Sequence, residues 1–200
     1  MKISFRLTII RKLCVFCVGL ATIFNSPNAI SQEANTIPEQ GKAIIQSFSF
    51  NLKAALQNAI KEGSLKNSIT ACSQKSPEIA EKYSNSGWQI KRTSLKIRNA
   101  ENKPSEFERN ILLQFQAKKN EGLPISDLNF YKAEITENGK THHLMKAIST
   151  QALCLGCHGG NLSEEVQSEL KLHYPDDQAI GFQEGDIRGA FSLVYIEDND

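Results

Sequence analysis

The heptapeptide CLGCHGG, Cys154 to Gly160, constrains this chain more than any other stretch. Two cysteines separated by two residues, with a histidine directly after, form the attachment pattern of c-type haem. The reason is mechanical. Each sulfur adds to one of two porphyrin vinyl groups held a fixed distance apart, and the adjacent histidine reaches the iron. Cys154 and Cys157 are then the anchors and His158 the proximal ligand. Gly156, Gly159 and Gly160 let the backbone lie against a flat macrocycle. Two other readings use the same residues. Cys72, Cys154, Cys157 and His158 would make a four-donor zinc site. A CxxC pair can also be a redox disulfide, although such pairs usually open a helix after a strand, and a glycine-rich turn is expected here.

The N-terminus bears on the compartment. Residues 1–31 carry Lys2, Arg6, Arg11 and Lys12 and no acid. The apolar run Leu13 to Phe24 follows, twelve residues long and too short to span a bilayer comfortably. Small residues at Ala29 and Ser31 suit signal peptidase. Residues 1–31 are therefore expected to be a signal peptide, leaving 32–200 as one periplasmic domain with no stable membrane span. The formal charge of +1, from 23 basic and 22 acidic residues, becomes −3 once those four cations are removed. No basic cluster is interleaved with aromatics, which excludes a nucleic-acid partner. Of five cysteines, Cys14 and Cys17 fall in the signal segment. The remaining three are an awkward number for a disulfide framework, but natural if two share one task and the third has another.

The pattern along residues 32–200 is α+β. Thr36, Pro38 and Glu39 read as a capped helix start. Ile45, Phe48, Leu52, Leu56 and Ala59 then recur at helical spacing up to Gly63. A second helix is expected over 69–83, broken or restarted near Pro77, with Cys72 in its first turns. GWQIKRTSLKIR reads as a strand whose alternation changes phase, which a bulge near Thr93 would reconcile. Ser105 and Glu108 cap a further helix running to Gly122. Asn138-Gly139 signals a hairpin pairing Ile135 with His142, Glu134 with His143 and Ala133 with Leu144. Tyr131, Ala133, Ile135, His142 and Leu144 would share the core face, and Lys132, Glu134, His143 and Met145 the polar one. A short helix starts at Ser163 and ends before Pro175, and GAFSLVYI, 189–196, is the last strand. Helices around an antiparallel sheet follow.

No methionine follows His158, so the usual downstream axial ligand is missing. Met145, His142 and Cys72 remain as candidates. An exported free thiol beside a haem needs protection from oxidation, and iron binding supplies it. A thiolate also offsets Fe(III) more than Fe(II) and lowers the reduction potential relative to methionine. Arg92 and Arg98 are candidate partners of the haem propionates, with Tyr174 as a possible donor. Arg188 reads as structural, pairing with Asp177 or Asp186. His143 is expected to pair with Glu134 and face water, and His173 to be a surface residue. No acid–base constellation accompanies the motif, so no enzymatic activity is expected.

ITACSQKSPEIA, GWQIKRTSLKIRNAENKP, FERNILLQF, CLGCHGG and YPDDQAIGFQEGDIRGAFSL together resemble one family: exported mono-haem c-type proteins with a PAS-like haem domain. The resemblance covers most of the chain after residue 31. It implies a PAS-like antiparallel sheet flanked by helices, preceded by a long N-terminal helix. It implies one haem c on Cys154 and Cys157, loaded by the cytochrome c maturation machinery, with His158 and Cys72 as the axial pair. Members often form the sensory part of a larger signalling chain. No kinase, cyclase or membrane-spanning segment follows the domain here, so a separate redox or signalling partner is expected to read its state. A redox or diatomic-gas sensor is the leading functional reading, and a periplasmic electron-transfer cytochrome the alternative.

Overall fold

The structure is a computed structural model and describes residues 36–137 and 139–197. The expected signal segment, 1–31, lies outside the described residues. Helices α1 (Ile37–Glu62) and α2 (Leu65–Tyr83) lead into β1 (Trp88–Thr93) and α3 (Glu106–Asn120). The hairpin β2 (Asn129–Thr136) and β3 (Gly139–Ser149) follows, then the single turn α4 (Leu155–His158), α5 (Glu164–His173) and β4 (Ile187–Glu197). The four strands form one antiparallel sheet in the order β1-β4-β3-β2. This is the α+β architecture expected, with a 26-residue helix at its start. No described helix is long and apolar enough to cross a membrane.

Both faces of the sheet are covered. On one, Ile45 and Phe48 of α1 pack on Trp88, Ile90, Leu144, Phe191 and Leu193. Phe48 meets Phe191 and Tyr83 edge-to-face, with ring centroids 5.7 and 6.0 Å apart. On the other, Ile111, Leu112 and Phe115 of α3 pack on Leu128, Met145, Ala147 and Ala190. The Ser105 hydroxyl accepts from the Glu108 N–H while the Glu108 carboxylate accepts from the Ser105 N–H, so the capping box read at α3 forms. At α1, Thr36 is the N-cap, but its side chain makes no capping bond. Helix α2 runs unbroken through Pro77, against the expected interruption.

The hairpin corrects three expectations. Thr136 pairs with Gly139, which brings Ala133 opposite His142 and Tyr131 opposite Leu144. The Thr136 hydroxyl favours this register by bonding the Gly139 carbonyl at 2.9 Å and the Thr141 hydroxyl at 3.0 Å. A slip of two residues keeps each side chain on its face. The burial differs, because β3 is central and β2 is an edge. Met145, expected on a polar face, is 2% exposed, whereas Ile135 on the expected core face is 81% exposed. His142 is buried as expected, with Nδ1 2.8 Å from the Tyr131 hydroxyl.

The bulge expected near Thr93 lies instead on the neighbouring strand. Strand β1 stays in register to its last pair, Thr93 with Ala190. Between β3 and β4 the register jumps from Ile148–Gly189 to Ser149–Ile187, leaving Arg188 as the extra residue. Gly189 lets the chain leaving β1 cross β4 closely. A Cβ there would sit 2.2 Å from the Thr93 carbonyl oxygen. Gly189→Ala is expected to cost about 1–3 kcal/mol or more by forcing that crossing apart. The shift of the urea-unfolding midpoint measures it.

Candidate functional site

A cavity of about 630 Å3 opens between α1, α2, the segment after β1 and the turn carrying the CxxCH residues. That volume is in the usual range for a small-molecule or cofactor site. Cys72, Cys154, Cys157, His158, Arg92, Arg98 and Tyr174 all line it, although they come from five separate parts of the chain. Its apolar wall includes Ile45, Leu52, Ile69 and Phe191.

The CxxCH stretch is wound more tightly than the expected glycine-rich turn. A 3-10 turn, Ala152–Cys154, runs straight into α4. The Gly159 N–H closes α4 onto the Leu155 carbonyl at 2.9 Å. A strap of extended chain then locks it in place. The Phe182 N–H donates to the His158 carbonyl at 2.9 Å, the Gly181 N–H to Gly159 at 3.0 Å, and the Gln178 N–H to Ile97 at 2.8 Å.

His158 has one ring nitrogen held by the backbone and turns the other, Nε2, toward Arg188, whose Nε donates to it at 3.4 Å. The His158 Nδ1 lies 2.7 Å from the Ala179 carbonyl oxygen. A carbonyl only accepts, so the proton sits on Nδ1 and Nε2 is an acceptor. Burial, then the Arg188 and Arg98 charges, push the imidazole well below its ordinary pKa, so the ring is neutral. That is the protonation state and tautomer a metal ligand needs, with a carbonyl holding the other nitrogen.

The three thiols of the described chain are free. Burial pushes the Cys72 thiol up, against the pull of Arg92. Burial raises Cys157 likewise, against Arg98. Among the described residues no group of three or more His, Cys, Asp or Glu is placed to hold a metal ion. The four-donor zinc reading therefore lacks its geometry, whereas a haem iron asks the protein only for axial ligands.

The cations sort into two kinds. Arg98 is committed to the fold: its guanidinium meets Asp177 at 2.9 Å and donates to the carbonyls of Cys157 at 2.5 Å and Ala179 at 3.2 Å. Arg92 and Arg188 have no carboxylate partner among the described residues. Arg92 donates to the Ser76 hydroxyl. Arg188 donates to Ser94 Oγ at 3.1 Å and to the Lys96 carbonyl at 3.3 Å, and its Nε is 3.4 Å from His158 Nε2. Burial brings Arg188 down to about 10. Its expected partners are taken, Asp177 by Arg98 and Asp186 by Lys119 at 3.0 Å. Arg188 is the site residue that sequence reading misplaced, because strand alternation gives no sign of the bulge that turns it into the cavity. Lys53, Lys75 and Lys146 also line the cavity, and among the described residues no Asp or Glu does. His143 lies 3.8 Å from Glu134 as expected, but packs half-buried on Phe107. His173, expected on the surface, is half-buried and bonded to Glu169.

These features define a PAS-like α+β domain built around one cationic, thiol-bearing cavity. The chain belongs to the Tll0287-like family (Tll0287), whose sequence profile matches residues 25–195. It is similar to the solved structure described as the crystal structure of the cyanobacterial heme-protein Tll0287, at 24% identity and a TM-score of 0.56. That likeness spans 82% of this chain and 99% of the other, and it bears on the fold. No curated protein matches the chain.

Proposed function

We propose that the chain is an exported haem c protein that senses redox state or a diatomic gas through exchange of an axial ligand. The observation that carries this reading is the convergence on one cavity of Cys154, Cys157, Cys72 and a neutral His158, whose Nε2 is an acceptor and takes only the Arg188 Nε–H among the described residues. The solved relative is itself described as a heme-protein. The residues fit such a group in shape, charge and chemistry. Bound there, a haem would supply an iron that changes charge by one on reduction and accepts ligands on both faces.

The chain's own residues divide the work. Cys154 and Cys157 would hold the group covalently, each thiol adding across one vinyl, sulfur to one carbon and hydrogen to the other, with no leaving group. His158 would offer Nε2 to the iron, with the Ala179 carbonyl fixing the ring and raising its basicity. Arg92 and Arg188, half-buried cations without carboxylate partners among the described residues, would be the natural partners of two propionates. Arg98 supports the site from behind. Cys72 would offer a thiolate, whose charge suits ferric iron more than ferrous iron.

Ferric absorption spectra of Cys72→Ala and Cys72→Met test this reading. Both are expected to differ from wild type and from each other, and the methionine variant to have the higher reduction potential. Two wild-type spectra would make Cys72 a bystander and remove the switch. An electron-transfer role instead requires the wild-type iron to keep both ligands on reduction, which the ferrous spectrum reads directly.

A further inference from the structure

Thr70, Glu169 and His173 form a polar cluster that the cavity does not use. The Thr70 hydroxyl donates to Glu169 Oε1 at 2.9 Å. His173 Nε2 lies 3.1 Å from the same oxygen and 3.2 Å from the Thr70 hydroxyl, and Lys66 is 3.8 Å from Oε2. Thr70 is on α2, and Glu169 and His173 stand one turn apart on α5. The Glu169 side chain is only 11% exposed. The Thr70 hydroxyl above all, helped by His173 and Lys66, holds its carboxyl below the usual range. Beside the cluster, Ile69 packs on Val166 and Leu170. Apolar helices can slide past one another, but a shared carboxylate cannot lose its donors without a desolvation cost.

The placement gives the cluster a task. Helix α2 carries Cys72 two residues beyond Thr70, and α5 begins at Glu164, shortly after His158. Positions two apart on a helix point about 200° from each other. Thr70 therefore bonds α5 while Cys72 lines the cavity, and a turn of α2 that breaks one moves the other. Pro77 lacks the N–H that would bond the Ser73 carbonyl, which weakens α2 just beyond Cys72 and leaves more to an outside brace.

We propose that Thr70, Glu169 and His173 are positioning residues that fix Cys72 relative to the segment bearing His158. The proposal rests on the reading of Cys72 as an axial ligand. Thr70→Val keeps the side chain's size and removes its hydroxyl, and Thr70→Ser keeps the hydroxyl. In the full chain produced without haem, iodoacetamide labelling of Cys72, followed by peptide mass mapping, is expected to run about fivefold faster in Thr70→Val than in wild type. Thr70→Ser should restore the wild-type rate. In the haem-loaded protein, the ferric spectrum of Thr70→Val should move toward that of Cys72→Ala. Should Thr70→Val not fold, Glu169→Gln, which keeps the side chain's shape, is read the same way. A wild-type labelling rate overturns the brace whatever the spectra show. An unchanged ferric spectrum in Cys72→Ala overturns the ligand reading instead, and labelling still decides the brace.

Discussion

Replacing Arg98 by methionine is expected to destabilise the domain by about 3–5 kcal/mol, the usual cost of leaving one partner of a buried ion pair alone. The Arg98 and Asp177 side chains are 12% and 9% exposed, so solvent screens neither well. Asp177 Oδ1 also accepts the Ala179 N–H at 2.8 Å, and Ala179 in turn holds His158. Arg98 thus ties the strap to the motif through Asp177 and the Cys157 carbonyl. Losing it leaves the Asp177 carboxylate without its cation and the Cys157 carbonyl without that donor, while the Ala179 carbonyl keeps only His158. Arg98→Lys should recover only part of the loss, because an ammonium cannot reproduce the fork of donors. Arg98→Met with Asp177→Leu should be more stable than Arg98→Met alone, since no charge is then stranded. Urea-unfolding midpoints of the three variants check this, and a shift under 1 kcal/mol for Arg98→Met would contradict the role given to Arg98.

Cys154→Ala with Cys157→Ala is expected to abolish covalently held haem entirely, the largest functional effect the account allows. Each cysteine forms one thioether, so each single variant should retain a single bond and a weaker haem-stained band on a denaturing gel. The double variant should keep its fold, because neither sulfur is a fully buried packing atom. Cys154 Sγ accepts only the Gln151 N–H, at 3.4 Å, and Cys157 touches the edge of the Ile69, Val166 and Leu170 cluster. Equal haem staining in the double variant and wild type would contradict the assignment of both anchors.

Much of the site was legible because its chemistry is written in rare residues. Cys154, Cys157 and His158 stood out by their spacing and Cys72 with the help of a family resemblance, and all four line one cavity. The capping box at Ser105 and the spacing of Phe48 and Ile45 were equally direct, since both are local signals. What the sequence hid is set by tertiary context. The Asn138-Gly139 signal misplaced the hairpin because the Thr136 hydroxyl prefers another closing pair. Met145 was read as polar-facing because alternation cannot tell a central strand, covered on both faces, from an edge. Arg188 was assigned to acids that Arg98 and Lys119 already hold. A one-residue bulge, invisible in the pattern of β4, delivers it to His158 instead.

The central claim is that this chain carries a porphyrin bonded through two sulfurs. The most direct measurement is the intact mass of the denatured protein, exported from cells that possess a haem-maturation system. A mass one haem above that of the polypeptide is predicted, with the added group mapping to the peptide containing Cys154 and Cys157. The mass of the bare polypeptide would contradict the account.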